Sequence, residues 1–344
     1  MLACIGLFSL LAIHGCTSND DNDDLTPDNS ASVATYSYGT HPLQSYRLYL
    51  PENYNENTEV VIMIHGGGWV MGYHPDDTVS TFSGRYNWDI LNPLLEEGYA
   101  CAVMKYRTAC YNTVPENFGN NATYYQDQMM QDIDFVINHV STKGFELGFG
   151  PLGVHLLGES AGGHIAMTYG IRSNASGAVK SVASMFGPSD LDAQDFKSIL
   201  NGLPLISVPP PNYFLKKSNN CESVTNEQTR VLFSMKSFAD HQTLKINEPN
   251  SYLDSISPSK TMNINNNIPL FIMHGANDEL VPSTQADLMY DAFKAQNGNA
   301  ICAADSFNCG LKRKIYDNCG HGWTGGNCAR AEVMQDIVKW IEAH

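Results

Sequence analysis

Short apolar runs recur along this chain at 60–64, 100–105, 152–157, 180–185, 269–273 and 313–317, and amphipathic helix patterns lie between most of them, at about 86–97, 124–141, 161–172, 284–296 and 328–343. This alternation constrains the fold more than any other feature. Parallel strands need long crossovers, and helices supply them, so the pattern specifies a mostly parallel central sheet with helices on both faces. The class is α/β. Ahead of the alternation, Ser45–Leu50 reads as an early antiparallel strand ended by Pro51. A chain of 344 residues with 43% apolar side chains can bury one large core. No internal repeat is evident. Only one long stretch breaks the alternation: residues 187–262, rich in Asn and Ser and carrying Pro209-Pro210-Pro211. An insertion of that length in a compact domain usually has a function, and here a cap over the active site is expected. A smaller insertion, 107–123, follows the strand ending near Tyr106.

Chemistry gathers at the carboxyl ends of these strands, where open α/β sheets bind ligands. Gly158-Glu159-Ser160-Ala161-Gly162 lies between an apolar run and a helix pattern, which is G-x-S-x-G in its strand–turn–helix setting. The sharp turn exposes the Ser160 hydroxyl, which needs both a base and an open approach to act as a nucleophile. His65-Gly66-Gly67-Gly68-Trp69 follows the strand at 60–64. Glycines there let main-chain N–H groups face a ligand, so Gly67, Gly68 and Ala161 are the expected oxyanion donors. An acid and then a base should follow in chain order. Asp278 sits in the loop after 269–273, with Glu279 and Asp254 as weaker candidates for the acid. His321 follows the last strand and is the expected base; the other histidine beyond that strand, His344, ends a helix. His65 is read as a brace for the glycine loop. Glu159 is expected to point into the fold. His164, four residues after Ser160 on the same helical face, reads as a supporting histidine rather than a base. Trp69, Tyr73 and Trp323, with the two insertions, are expected to shape the acyl and alcohol pockets. No histidine–carboxylate pair has metal-site spacing, and there is no C-x-x-C, phosphate loop or dinucleotide fingerprint. No cofactor is expected.

Together, His65 to Trp69, Gly158 to His164, and His274 through Asp278-Glu279-Leu280-Val281-Pro282 make the chain resemble an α/β-hydrolase of the carboxylesterase group. The Ser160-to-His164 and Asp278-to-Pro282 runs are most similar to its bacterial acetylxylan/feruloyl-esterase-like branch. The resemblance covers roughly residues 45–343. It implies an α/β-hydrolase fold with a cap, and hydrolysis of carboxylic esters, on acylated polysaccharide or small acyl esters, through an acyl-enzyme on Ser160. Arylformamidases carry similar motifs, so an amidase or arylformamidase-like hydrolase remains an alternative. A noncatalytic adhesion or binding protein on a hydrolase scaffold is another, although such relatives usually lose a triad member.

The remaining expectations concern location and cysteines. Residues 1–15 read as a signal peptide: the apolar run Met1–Ile13 is too short to span a bilayer and leads to Gly15-Cys16. A lipoprotein signal, with lipid on Cys16, is favoured over plain secretion, though no Lys or Arg precedes the run and His14 is unusual there. Asp20, Asp21, Asp23, Asp24 and Asp28 crowd the following stretch, which resembles the export tag of some Gram-negative lipoproteins. Residues 16–34 read as a disordered acidic tether, and 35–344 as the hydrolase domain. The expected location is the outer membrane or cell surface, or else the periplasm or the medium, with membrane contact through lipid only. The net charge of −16 argues against nucleic acid as a partner. Export permits disulfides. Setting Cys4 and Cys16 aside leaves seven cysteines, so one stays free, and Cys101 inside a strand pattern is the buried candidate. Cys309 and Cys319 flank the last strand, which at about 3.3 Å per residue puts them roughly 30 Å apart, beyond disulfide reach. The expected pairs are therefore Cys319–Cys328, Cys302–Cys309 and Cys110–Cys221.

Overall fold

A computed structural model of the protein describes residues 32–69, 84–108, 124–150, 153–172, 177–196, 251–262, 268–296 and 301–344. Eight strands form one sheet: β1 (Ser32–Ser37), β2 (Ser45–Leu50), β3 (Val60–Ile64), β4 (Ala100–Met104), β5 (Val154–Glu159), β6 (Val179–Met185), β7 (Leu270–Gly275) and β8 (Leu311–Tyr316). Their order is β1-β2-β4-β3-β5-β6-β7-β8. β2 pairs antiparallel with both β1 and β4, and every pairing from β4 to β8 is parallel. The helices are α1 (Gly84–Glu96), α2 (Tyr124–Leu147), α3 (Ala161–Arg172), α4 (Ser251–Ile256), α5 (Thr284–Gln296) and α6 (Arg330–Glu342). This is the α/β-hydrolase architecture expected from the sequence. Among the described residues no helix is long and apolar enough to cross a membrane.

The apolar runs are continuous because both faces of the sheet are covered. Alternate residues go to opposite cores. Val60, Ile62 and Ile64 of β3, with Leu156 of β5 and Ile272 of β7, pack toward Ile133 and Val136 of α2, Ile165 of α3 and Met289 of α5. Val61 and Met63 of β3, with Leu157, Phe271 and Met273, face Leu91 and Leu94 of α1 and Val333, Ile337 and Trp340 of α6. Each fully buried aliphatic side chain contributes about 1.5–3 kcal/mol, so these two layers fix which face of the sheet each strand residue takes. Cys101, alone among the described cysteines in having no disulfide, is buried in the second layer.

Element ends shift by a few residues from the sequence reading, most at α2, which runs to Leu147 rather than 141, and two larger boundaries differ. β1 takes in Ser32, Val33 and Ala34, the last residues of the expected tether, because Ser32–Ser37 pairs along its whole length with β2. Both ends of the expected cap insertion, 187–262, belong to the body. Ser189 and Asp190 donate their N–H groups to Gln285 Oε1 of α5, each at 2.8 Å. Leu191 donates its N–H to Ser257 Oγ at 2.8 Å, and Ser259 donates its own to Ser189 O at 3.0 Å. The neck of the insertion is thus sewn to itself and to α5. Residues 197–250, residues 109–123, Tyr73, and both Cys110 and Cys221 lie outside the described residues.

Candidate active site

β5 ends in a turn that α3 immediately follows, and Ser160 sits at its point with φ 51°. A non-glycine residue in that left-handed region costs of order 1–3 kcal/mol and persists only where its surroundings hold it. Here Ser160 donates its N–H to Met185 O at 2.9 Å, while Ser160 O accepts the N–H of His164 at 3.1 Å. Gly162 is required by close approach: a methyl group there would run into the Ile64 and His65 carbonyls. β3 and the start of α3 can therefore touch, which brings the glycine loop beside the serine.

That loop, after β3, turns through three consecutive residues with positive φ: Gly67 (91°), Gly68 (59°) and Trp69 (62°). Gly66 donates its N–H to Glu159 Oε1 at 3.3 Å. Gly67 and Gly68, with Ala161 in the first turn of α3, are left as the candidate oxyanion donors. His65 Nδ1 lies 2.8 Å from Gly66 O, so the ring donates to its own loop. Tyr106 stacks on the His65 ring at 4.3 Å and donates its hydroxyl to His65 O and Gly66 O at 3.1 and 3.3 Å. Trp69 donates Nε1–H to His164 Nδ1 at 3.2 Å. Burial pushes His65 down to about 4 against the opposing effect of its bond to Gly66, and pushes His164 down to about 4 against its bond to Ile256. Burial pushes the Glu159 carboxyl up to about 7, with the Gly66 N–H acting the other way. Each thus keeps its neutral form further into the pH range than usual.

His321 opens a single 3-10 turn, His321–Trp323, after β8. Its Nε2 is 3.1 Å from Ser160 Oγ and its Nδ1 is 2.8 Å from Asp278 Oδ2. Asp278, in the loop after β7, accepts the N–H groups of Leu280 and Val281 on Oδ1 at 2.9 and 2.8 Å. Burial alone would raise the Asp278 carboxyl. Its bonds from His274 and His321 outweigh that and hold it well below the usual carboxylate range. Glu279 is exposed, and Asp254 belongs to α4. The structure therefore brings together Ser160, His321 and Asp278 of the sequence candidates, and neither alternative acid. Phe186, at the end of β6, packs its ring 4.6 Å from that of His321.

Two neighbours of the site, Tyr106 and Phe186, were not read from the sequence as such, while His274 was read only as paired with Asp278. Tyr106 and Phe186 follow the carboxyl ends of β4 and β6, and that position was their only signal. His274, fully buried, places Nε2 2.8 Å from Val281 O and 3.4 Å from Asp278 Oδ2, so it helps fix the acid's loop. One expectation fails. Trp323 does not shape a pocket: it is fully buried, packed edge-on against Phe186 and Tyr316 at 5.0 and 5.3 Å, because the turn after His321 folds inward. Trp69 is buried as well, and its indole is engaged with His164. The disulfides Cys302–Cys309 and Cys319–Cys328 are both present, with Cα separations of 5.3 and 4.6 Å. The second closes the loop that carries His321. Among the described residues no group of three or more His, Cys, Asp or Glu side chains could hold a metal.

Comparisons with known proteins bear on the fold and the family. The isoprenylcysteine alpha-carbonyl methylesterase ICME of Arabidopsis thaliana is 30% identical over 131 residues, which is 38% of this chain and 25% of that protein. "Probable isoprenylcysteine alpha-carbonyl methylesterase ICMEL1" of Oryza sativa subsp. japonica is 24% identical over 286 residues, 83% of this chain and 55% of that one. The chain thus spans about half or less of the length of these plant relatives. Among solved structures, carboxyl esterase 2 of Tuber melanosporum superposes with a TM-score of 0.58 at 16% identity, covering 95% of this chain and 88% of that one. A truncated carbohydrate esterase from gut microbiota gives 0.54 at 16% identity, covering 91% and 98%. At such identities these two structures speak for the fold alone. Residues 47–293, well over half of the chain, match the BD-FAE family, and the protein belongs to that family of α/β-hydrolase esterases.

Proposed function

We propose that the protein is a serine carboxylic-ester hydrolase that works through an acyl-enzyme on Ser160. The observation that carries this reading is His321 bridging Ser160 Oγ and Asp278 beside the Gly66–Gly68 loop. Ser160 Oγ attacks the ester carbonyl carbon while its proton passes to His321 Nε2. The carbonyl electron pair moves to oxygen, facing the N–H groups of Gly67, Gly68 and Ala161. When the tetrahedral adduct collapses, the C–O bond to the alcohol breaks and His321 protonates the leaving oxygen. Water then attacks the acyl-enzyme, giving its proton to His321, and the second collapse returns that proton to Ser160 and releases the acid. Asp278 holds the Nδ1–H tautomer and stabilises the imidazolium at each stage.

The favoured substrates are acyl esters on plant polysaccharide, or small esters of the same acids. Support comes from the Ser160-to-His164 and Asp278-to-Pro282 runs, which resemble the acetylxylan/feruloyl branch, and from membership of the BD-FAE family. A panel of p-nitrophenyl acetate, longer p-nitrophenyl esters, acetylated xylan and methyl ferulate tests this. Turnover of one of the last two supports the polysaccharide reading, and folded protein inert to every ester overturns the hydrolase reading itself. We also propose that the mature protein is lipid-anchored through Cys16, the favoured reading of its first residues. Cys16→Ser should release it to the soluble fraction, and an unlipidated N-terminus elsewhere in the tether would overturn the anchor.

A further inference from the structure

The glycine loop must hold two N–H groups toward one point while three successive residues sit at positive φ. Nothing in Gly67 or Gly68 can enforce that, because neither has a side chain to pack. The loop therefore depends on its flanks. On one side, Glu159 and Tyr106 hold Gly66 and His65. On the other side the first side chain available is Trp69, a non-glycine residue at φ 62°. Its indole meets the His164 ring edge to face, with centroids 5.3 Å apart and planes at 88°, and its Nε1–H points at His164 Nδ1.

An indole N–H only donates, so His164 Nδ1 must carry a lone pair and its proton must sit on Nε2. Nε2 is 2.8 Å from Ile256 O at the end of α4, an acceptor only, which requires that same tautomer. Gln126 Nε2 reaches the same carbonyl at 2.9 Å and keeps it in place. Both ring nitrogens of a fully buried histidine are thus committed, and the ring is set from both sides. His164 lies four residues after Ser160, on the helix whose first N–H belongs to Ala161. One helix then carries one candidate oxyanion donor directly and holds the loop bearing the other two.

We propose that His164 is a positioning residue for ester hydrolysis: acting through the Trp69 indole, it fixes Gly67 and Gly68 against Ala161 so that the three N–H groups converge on the oxyanion. The inference rests on the hydrolase reading above. It separates His164 from the proton-transfer machinery, since neither ring nitrogen faces Ser160 Oγ, and it makes Trp69 part of the site's framework rather than of a substrate pocket.

Three variants of the full-length protein test it on p-nitrophenyl acetate. Trp69→Phe keeps an aromatic ring, though a smaller one, and removes the N–H donor. His164→Asn keeps an acceptor at the Nδ1 position and loses the Ile256 bond, while His164→Gln does the reverse. Loss of one oxyanion donor costs roughly 100–1,000-fold in rate. Trp69→Phe and His164→Gln should therefore lower kcat by about 100-fold with KM within about twofold, whereas His164→Asn stays within about fivefold of wild type. Binding of a trifluoromethyl ketone, whose serine adduct carries an oxyanion, should weaken in parallel with kcat/KM. A merely structural role would lower the melting temperature without that parallel loss, and would overturn the proposal. So would a folded Trp69→Phe with wild-type kcat, or His164→Asn losing as much as His164→Gln. Wild-type protein inert both to esters and to a fluorophosphonate probe would overturn the hydrolase reading and this one together. An active wild type with an indifferent Trp69→Phe overturns this one alone.

Discussion

At the residue scale, the site is built from groups whose charge is controlled by where they are buried. His321→Ala removes the side chain that bridges Ser160 and Asp278 and should lower kcat by about 10⁴-fold or more, since such groups act as a unit. Steady-state kinetics on p-nitrophenyl acetate checks this, and a loss below tenfold would remove His321 from the mechanism. Glu159 makes a less obvious prediction. Its carboxyl is raised from 4.5 to about 7, so between those values the folded protein holds a proton that the unfolded chain releases. Stability therefore falls as pH rises through that window, by up to about 3 kcal/mol. Glu159→Gln keeps an acceptor for the Gly66 N–H and loses the charge. It should stabilise the protein at pH 8 and change little at pH 5, as read by urea unfolding at both values. Equal effects at the two pH values would show that Glu159 does not titrate there. The sequence suggested that Glu159 points inward, but not what it meets: Gly66 is 93 residues away, and its approach depends on β3 and β5 being neighbours.

At the element scale, legibility follows from how much of an element's signal is local. β3 and α5 have their expected bounds because an apolar run, or an amphipathic period, carries the whole message. β1 was missed because Ser32–Ser37 is held by its ladder with β2, and a polar stretch just before it hid the boundary. The first end of the 187–262 insertion was missed because Gln285, nearly 100 residues on, binds Ser189 and Asp190, and the last end because Ser257 and Ser259 bond back to the first. The two cysteine pairs around β8 were legible because strand length sets a hard limit on reach, as Cys319–Cys328 illustrates. That bridge leads to a prediction. It spans His321, whose short turn is also held by bonds such as Gly320 N–H to Thr324 O and Arg330 Nε to Trp323 O, both 2.8 Å. A loop of this size contributes about 2–3 kcal/mol. Mild reduction should therefore lower kcat while far-UV circular dichroism is still native. The Cys302Ser/Cys309Ser variant, altered at the far end of β8, should keep its kcat. Loss of activity only together with secondary structure would show that the bridge supports the whole fold rather than the His321 loop.

Across the whole molecule, the buried ionisable groups near the site do not all pull in one direction with pH. His65 and His164 are held neutral, each down to about 4, by burial first and foremost. The unfolded chain binds protons at these residues from about pH 6.5 downward, and the folded protein does not, so each costs stability as pH falls from 6.5 to 4. His155, at the opposite end of the sheet from Ser160, is lowered too, chiefly by burial and against its bond to Glu59. Glu159 works the other way over nearly the same window. At about 1.36 kcal/mol per pKa unit, two histidines against one glutamate leave a net loss of a few kcal/mol by pH 4. Below that, Asp278 adds to the loss, because a carboxylate held low is stabilising above its unfolded value near 3.9 and ceases to be as it protonates. The protein should therefore be less stable at pH 4.5 than at pH 7. Glu159→Gln should steepen the decline, having lost a group that offsets it. Equilibrium urea unfolding from pH 4 to 8 measures both curves. A flat wild-type profile would mean that the histidines beneath the glycine loop take up protons in the folded state and that the loop survives their charging, whereas a Glu159→Gln curve parallel to wild type would mean that Glu159 does not titrate in this range.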